Sequence, residues 1–364
     1  MSIAIRVDAS VVIGSGHVMR CLTLADELKR RGAAPVFVCR EHEGNLLGVI
    51  EKRGFAVAPL RAPGAVTMTG NRTAHGHWLG VDWQQDAEET ASVLRQQGLP
   101  AIVVVDHYAL DVAWEQRITS MGVRIAVIDD LADRSHECHW LLDQNCLPDQ
   151  EARYSRLVPS DCVGLFGPSF TLIRNEFREA RGGRLGRDGR ISRLLIFFGS
   201  VDVDEYTFRA LEVVSEIDWP ELRVDVVTGM ANPNRHAVER LCRLDARFNY
   251  HCQVTNMAEL MSRADLAISA GGFSSYELAY TGVPSILFPL SAIQSQVSAE
   301  IAARGAALSL GQNEVFPTQQ LRDALQTLRC SPQRCAQMSA VAARLFDGAG
   351  AQRVADVLLK REES

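Results

Sequence analysis

Near the N-terminus of this 364-residue chain, the run IGSGHVMR sets Gly14 and Gly16 immediately before His17. Two glycines let the backbone approach a ligand closely, and a helix start just beyond offers unpaired N–H groups to an anion. A histidine held there has the chemistry of a general base near neutrality. The plainer reading is a glycine-rich turn with a capping histidine. The third glycine that a dinucleotide fingerprint requires is replaced by Met19. A second cluster, VVVDHYALD, brings Asp106, His107 and Tyr108 to the end of an apolar run, either as a catalytic loop or with the aspartate capping the next helix. IDDLADR adds Asp129 and Asp130, and LLDQN adds Asp143, Gln144 and Asn145. With Asp8 these are four polar strand ends, and their convergence on one face is the argument for a site.

In the second half, SAGGFSSYE places Gly271, Gly272, Ser274 and Ser275 just before or within the first turn of a helix that carries Glu277. Such a turn can present N–H donors to a diphosphate while the carboxylate takes a ribose diol. The same letters also spell a capping box, in which Glu277 serves only its own helix. Asp202-Val203-Asp204 could hold a divalent cation at a strand end. With 44 acidic residues in the chain, such pairs also arise by chance, and no metal is expected.

These turns need scaffolds to hold them. Short apolar runs alternate with helical patterns: Ile3–Val7, Val36–Cys39, Phe55–Leu60, Ala101–Val105 and Arg124–Ile128, then Leu194–Phe198, Leu222–Thr228, Phe248–His251, Leu266–Ser269 and Ser285–Phe288. Val18, Cys21, Leu22, Ala25 and Leu28 share one helical face that Gly32 closes. Asp111 and Gly122 bracket another helix. The stretch Ala62–Gly80 reads as a surface excursion, and the glycine-rich, charged stretch Gly182–Gly189 as a junction. The expected organisation is an α/β protein with a first Rossmann-like domain over 1–182, a second over 190–348, and a C-terminal helix in 349–364 that crosses back onto the first. Ligands of open α/β sheets sit beyond the carboxyl ends of strands, which is where these clusters fall.

Composition narrows the function classes. Hydrophobic residues make up 47% and charged residues 23%, the balance of a folded chain. A net charge of −6 argues against a duplex nucleic-acid partner. Nine scattered cysteines form no disulfide framework or zinc ligand set. The N-terminus, MSIAIRVDAS, enters a strand without a signal-peptide pattern, and no apolar stretch is long enough to span a membrane. A cytoplasmic protein with reduced thiols and no cofactor is expected, as a monomer or weak dimer.

From IGSGHVMRCLTLADEL onward the chain resembles the pseudaminic-acid-pathway UDP-sugar hydrolases. The likeness continues in order through FVCREHEGNL, HWLGVDWQQDA, VVDHYALD, VIDDLADR, LLDQN and GPSFTLIRNEF. That resemblance implies a GT-B-like fold, two Rossmann-like domains facing a central cleft. It also implies metal-free attack of water on C1 of UDP-2,4-diacetamido-2,4,6-trideoxy-β-L-altropyranose with inversion, His17 acting as base and Tyr108 in the active site. The candidate site then comprises His17 and Tyr108 as catalytic residues, with Asp8, Gly14, Gly16, Arg20, Asp106 and Asn145 around the sugar. Gly199, Met257, Gly271, Gly272, Ser274, Ser275, Glu277 and Gln294 fall on the nucleotide side. The second half departs from the family pattern: Gly199-Ser200-Val201-Asp202-Val203-Asp204-Glu205 keeps only the first glycine and Asp202. Ile293-Gln294 stands where the family has Asn-Gln. A glycosyltransferase with a hydroxyl acceptor, or a nucleotide-sugar binder without turnover, are the alternatives.

Overall fold

The computed structural model describes residues 1–64, 72–181 and 187–360. The chain divides into two compact units, one from Met1 to Leu172 completed by the residues from Ala349 on, the other from Ile173 to Gly348. The first unit contains a seven-stranded sheet made of β1 Ser2–Val7, β2 Ala34–Arg40, β3 Ala56–Leu60, β4 Ile102–Asp106, β5 Arg124–Ile128, β6 Trp140–Asp143 and β7 Val163–Phe166. The order is β3-β2-β1-β4-β5-β6-β7. The second unit has β8 Arg193–Phe197, β9 Arg223–Thr228, β10 Phe248–Cys252, β11 Leu266–Ala270, β12 Ser285–Phe288 and β13 Ala307–Ser309, in the order β10-β9-β8-β11-β12-β13. Every strand pair is parallel.

The strands form where the sequence offers β-branched runs. Ile102-Val103-Val104-Val105 is buried along its whole length, as a central parallel strand covered on both faces must be. Helix Gly16–Arg30 packs Val18, Cys21, Leu22, Ala25 and Leu28 into the core on one side of this sheet, and ends at Gly32, whose φ of 84° is the left-handed turn that glycine adopts without strain. Asp111 caps the helix Val112–Thr119 by accepting the Ala113 amide at 3.0 Å. β6, β7 and β13 are absent from the runs that periodicity suggests, because segments of three or four residues are too short to show a period.

The second unit starts at Ile173, before Gly182–Gly189, of which 182–186 lie outside the described residues; the junction, expected there or just before, is not at that stretch itself. Side chains draw residues 173–181 into that unit: Arg174 pairs with Glu277, and Arg181 donates to the carbonyl of Phe346 at 3.2 Å. Nor is Ala62–Gly80 only a surface excursion, although 65–71 of it are outside the described residues. Gly76–Leu79 forms a 3-10 turn with Gly76 and Leu79 buried. At the other end of the chain, helix Gly350–Leu359 belongs to the first unit, where Ala351, Val354, Ala355 and Leu358 join its core. Burying a side chain the size of Val354 or Leu358 contributes roughly 1.5–3 kcal/mol.

Candidate active site

β1 and β4 lie side by side where the strand order of the first sheet reverses direction, with Val7 in register with Asp106. In such sheets this switch point is where a crevice opens beyond the strand ends. The turn after β1 folds on itself, Gly14 N–H donating to the Ser10 carbonyl at 2.9 Å and Ile13 N–H to Ser10 Oγ at 2.9 Å. Gly14 has φ 79°, so a side chain there would be strained. The helix begins at Gly16, which places His17 and Arg20 three residues apart on one face.

That face meets Asp106 at the end of β4. His17 Nδ1 lies 2.6 Å from Asp106 Oδ1, while Arg20 donates from Nε to Oδ2 and from Nη2 to Oδ1, both at 2.7 Å. Arg20 also reaches Asp130 Oδ2 at 2.8 Å through Nη1. Arg20 Nη2 lies 3.2 Å from His17 Nδ1 too, which would ask that nitrogen to accept. The carboxylate contact is shorter, and an ionised carboxylate can only accept, so Nδ1 carries the hydrogen. The lone pair is then on Nε2, which makes no hydrogen bond to any described residue. Burial opposes charge on Asp106, but Arg20 and His17 outweigh it and hold the carboxyl below the usual range. Asp106 is fully buried and both its oxygens are engaged by His17 and Arg20, so it orients the imidazole.

Aromatic rings surround the imidazole. Tyr108 stands edge-on to His17 with centroids 4.6 Å apart, and Trp78 does so at 5.9 Å. Trp78 stacks on Tyr108 at 5.5 Å, and His75 packs against both. The Tyr108 hydroxyl donates to Asp130, and burial together with that carboxylate raises its phenol well above the ordinary value. Asn145 joins the same corner, its side-chain amide donating to the Asp130 carbonyl at 3.3 Å. Asp130, Trp78 and His75 are therefore part of the site, though none was singled out as a site residue. Asp130 stands at a polar strand end in the sequence, whereas Trp78 lies in the short 3-10 turn Gly76–Leu79 and His75 just before it, where no periodicity marks them.

Asp8 lies beneath this surface. It is fully buried and takes the Arg6 fork at 2.6 and 2.8 Å and the Arg40 amide at 2.7 Å, with His107 Nε2 3.2 Å away. A carboxylate so enclosed holds β1 to β2. Arg6 and Arg40 in turn share Asp86 Oδ2, each at 2.7 Å, and Trp114 Nε1 donates to Asp86 Oδ1 at 3.0 Å. Nearby, burial and then Asp130 push the Asp143 carboxyl up to about 6.

The second unit has its own switch point between β8 and β11, where Ser269 is in register with Phe197. Gly199 follows β8 with φ 96°. Asp202 accepts the amides of Tyr206 at 3.0 Å and Thr207 at 2.9 Å, so it caps the helix Tyr206–Ser215, while Asp204 is exposed. After β11, a Cβ on Gly271 would fall 2.2 Å from Ser298 Oγ, so this glycine lets the turn pack against helix Ala292–Ala303. Ser275 Oγ donates to the Gly272 carbonyl at 2.7 Å, and Ser274 begins the seven-residue helix Ser274–Tyr280. Gln294 lies beside Gly272, and its Oε1 accepts the Leu290 amide at 2.9 Å. Ile293 is half-buried in the first turn of its helix. Met257 opens a helix after β10, three strands from β11. Glu277 makes no cap to its own helix. Its carboxylate is taken by Arg174, from Nε at 2.6 Å and Nη2 at 3.0 Å, which removes the capping-box reading.

Two parallel-sheet Rossmann-like α/β domains of this order define the GT-B fold class. Residues 193–354 match the C-terminal domain of glycosyltransferase family 28. Over its full length the chain is similar in fold to MurG of Acinetobacter baumannii, with a TM-score of 0.65, 16% identity, and 99% of each chain covered. It is 30% identical over 194 residues to the spore coat polysaccharide biosynthesis protein SpsG of Bacillus subtilis, covering 53% of this chain. It is 26% identical over 273 residues to the UDP-2,4-diacetamido-2,4,6-trideoxy-beta-L-altropyranose hydrolase of Campylobacter jejuni, covering 74% of this chain and 85% of that one. Two curated relatives, the Bacillus protein among them, are matched over only 57% of their own length.

Proposed function

We propose that this chain is a nucleotide-sugar hydrolase in which His17 activates water for attack on C1 of a UDP-linked diacetamido-trideoxy sugar. The observation that carries the reading is the Asp106–His17 pair with Nε2 left open among aromatic rings. Nε2 takes a proton from water as the new C1–O bond forms on the face opposite the diphosphate. The bond from C1 to the diphosphate oxygen breaks, UDP leaves with the electron pair, and the anomeric centre inverts. Asp106 keeps the imidazole in the tautomer whose Nε2 accepts, Arg20 holds the Asp106 carboxylate in place, and Tyr108 and Asn145 border the sugar. The turn Gly271-Gly272 with Ser274 and Ser275 is assigned to the diphosphate and Glu277 to the ribose. Backbone N–H donors offset the charge that develops on the leaving diphosphate, so the reaction needs no metal. The Campylobacter relative, named for this hydrolysis, supports the assignment at 26% identity.

A second reading replaces water by a sugar or lipid hydroxyl, making the protein a glycosyltransferase. The match of 193–354 to a glycosyltransferase domain favours it. Incubation with a panel of UDP-amino sugars, with and without EDTA, separates the two when UDP release and the anomeric signal are followed by NMR. Release of free sugar with inverted configuration in both conditions is the expected result. UDP release that requires an added acceptor supports the transferase, and binding without release overturns both.

A further inference from the structure

Arg174 is engaged on every side. Besides its two bonds to Glu277, Nη1 lies 2.8 Å from Glu176 Oε1, and the guanidinium packs 4.7 Å from the centroid of the Phe177 ring. The Glu277 side chain is only 3% exposed. A guanidinium fork fixes the plane of a carboxylate as well as its charge, which a single ammonium cannot do. A carboxylate has about four lone-pair sites, so two donors from Arg174 leave room for two more. Burial pushes the Glu277 carboxyl upward and Arg174 works against it, so the arginine also favours the charged, accepting form. The pair links residues 103 positions apart, from the stretch preceding the helix Asn175–Arg181 to the helix that follows the Gly271-Gly272 turn.

We propose that Arg174 is a positioning residue of the nucleotide site, which turns the Glu277 carboxylate so that its remaining lone pairs meet the 2′ and 3′ hydroxyls of a ribose. The inference rests on the reading of Glu277 as the ribose ligand, and its test separates the two. UDP and 2′-deoxy-UDP are titrated calorimetrically into wild type, Glu277→Gln, Arg174→Met and Arg174→Lys, with a denaturant melt of each. The wild type should prefer UDP on the order of tenfold or more, the worth of a hydrogen bond to a charged group. Glu277→Gln should lose that preference. Arg174→Met should lose most of it with Glu277 intact, and Arg174→Lys, which keeps a cation for folding, should not restore it. A purely structural Arg174 would lower the melt and weaken both ligands in parallel with the preference preserved, and that result overturns the proposal. Should wild type not distinguish the ligands and Glu277→Gln bind UDP normally, the ribose reading itself fails.

Discussion

The two switch points are built from different materials. In the first unit, side chains make the site: His17, Arg20, Asp106 and Asp130 are linked by charge-assisted bonds above a second buried layer of Arg6, Asp8, Arg40 and Asp86. In the second, backbone turns dominate, with Gly271 packed against Ser298, Asp202 capping a helix, and the Arg174–Glu277 pair beside them. The contrast fits a division of labour. Moving a proton demands a side chain of set tautomer, so its neighbours must be fixed by charges. Holding a diphosphate asks mainly for N–H donors, which glycine and serine turns supply in almost any sequence.

The comparison breaks most directly at His17. On the proposed mechanism, His17→Asn should cut turnover ~10²–10⁴-fold, the range of general-base catalysis, while UDP affinity and the melting midpoint stay close to wild type. Wild-type turnover in the variant would take the chemistry out of the first unit. Next in size is the buried ionic layer. Asp86→Ala leaves Arg40 Nη2, Arg6 Nε and Trp114 Nε1 without their acceptor and should destabilise the fold by about 3–5 kcal/mol in urea melts. A cost below 1 kcal/mol would mean that water replaces the carboxylate.

A pH dependence follows from the same unit. His136 is buried 2.8 Å from Glu115 Oε1 and 3.9 Å from Asp129 Oδ2. Burial disfavours its charge, yet Glu115 and Asp129 more than offset this and push the imidazole up to about 9. A raised folded-state pKa means that the stabilisation is full below the ordinary value near 6.5 and is lost as pH rises through about 9. Unfolding free energy should fall by about 3 kcal/mol across that window. His136→Gln should flatten the decline, and a variant that keeps the full slope would assign it to another group. The smallest effect belongs to the second unit. Asp202→Ala removes only a helix cap and should cost ~1 kcal/mol, with no change in the metal dependence of activity. A loss of several kcal/mol there would show that side-chain charge matters as much in this unit as in the first.

Much of this was legible from the residues alone. Apolar runs of fixed spacing announce parallel βα units, and glycines after strands announce the turns, because backbone geometry depends on local residue type. Gly14, Gly199 and Gly271 fall in the turns that follow strands and His17 in the first turn of the helix after β1, close to where the patterns put them. Partnership was not legible. Asp106 serves His17 across 89 positions, Arg6 and Asp86 meet across 80, and Arg174 claims Glu277 across 103. Asp8 and Asp106 look in sequence like any polar residue at a strand end, open to a ligand. Only the packed sheet shows that both are enclosed, because burial and pairing depend on which distant cations the strand order and register bring beside them. Trp78 marks the same limit: a tryptophan in a four-residue 3-10 turn carries no period, and its place beside His17 exists only once the chain has folded around β1 and β4.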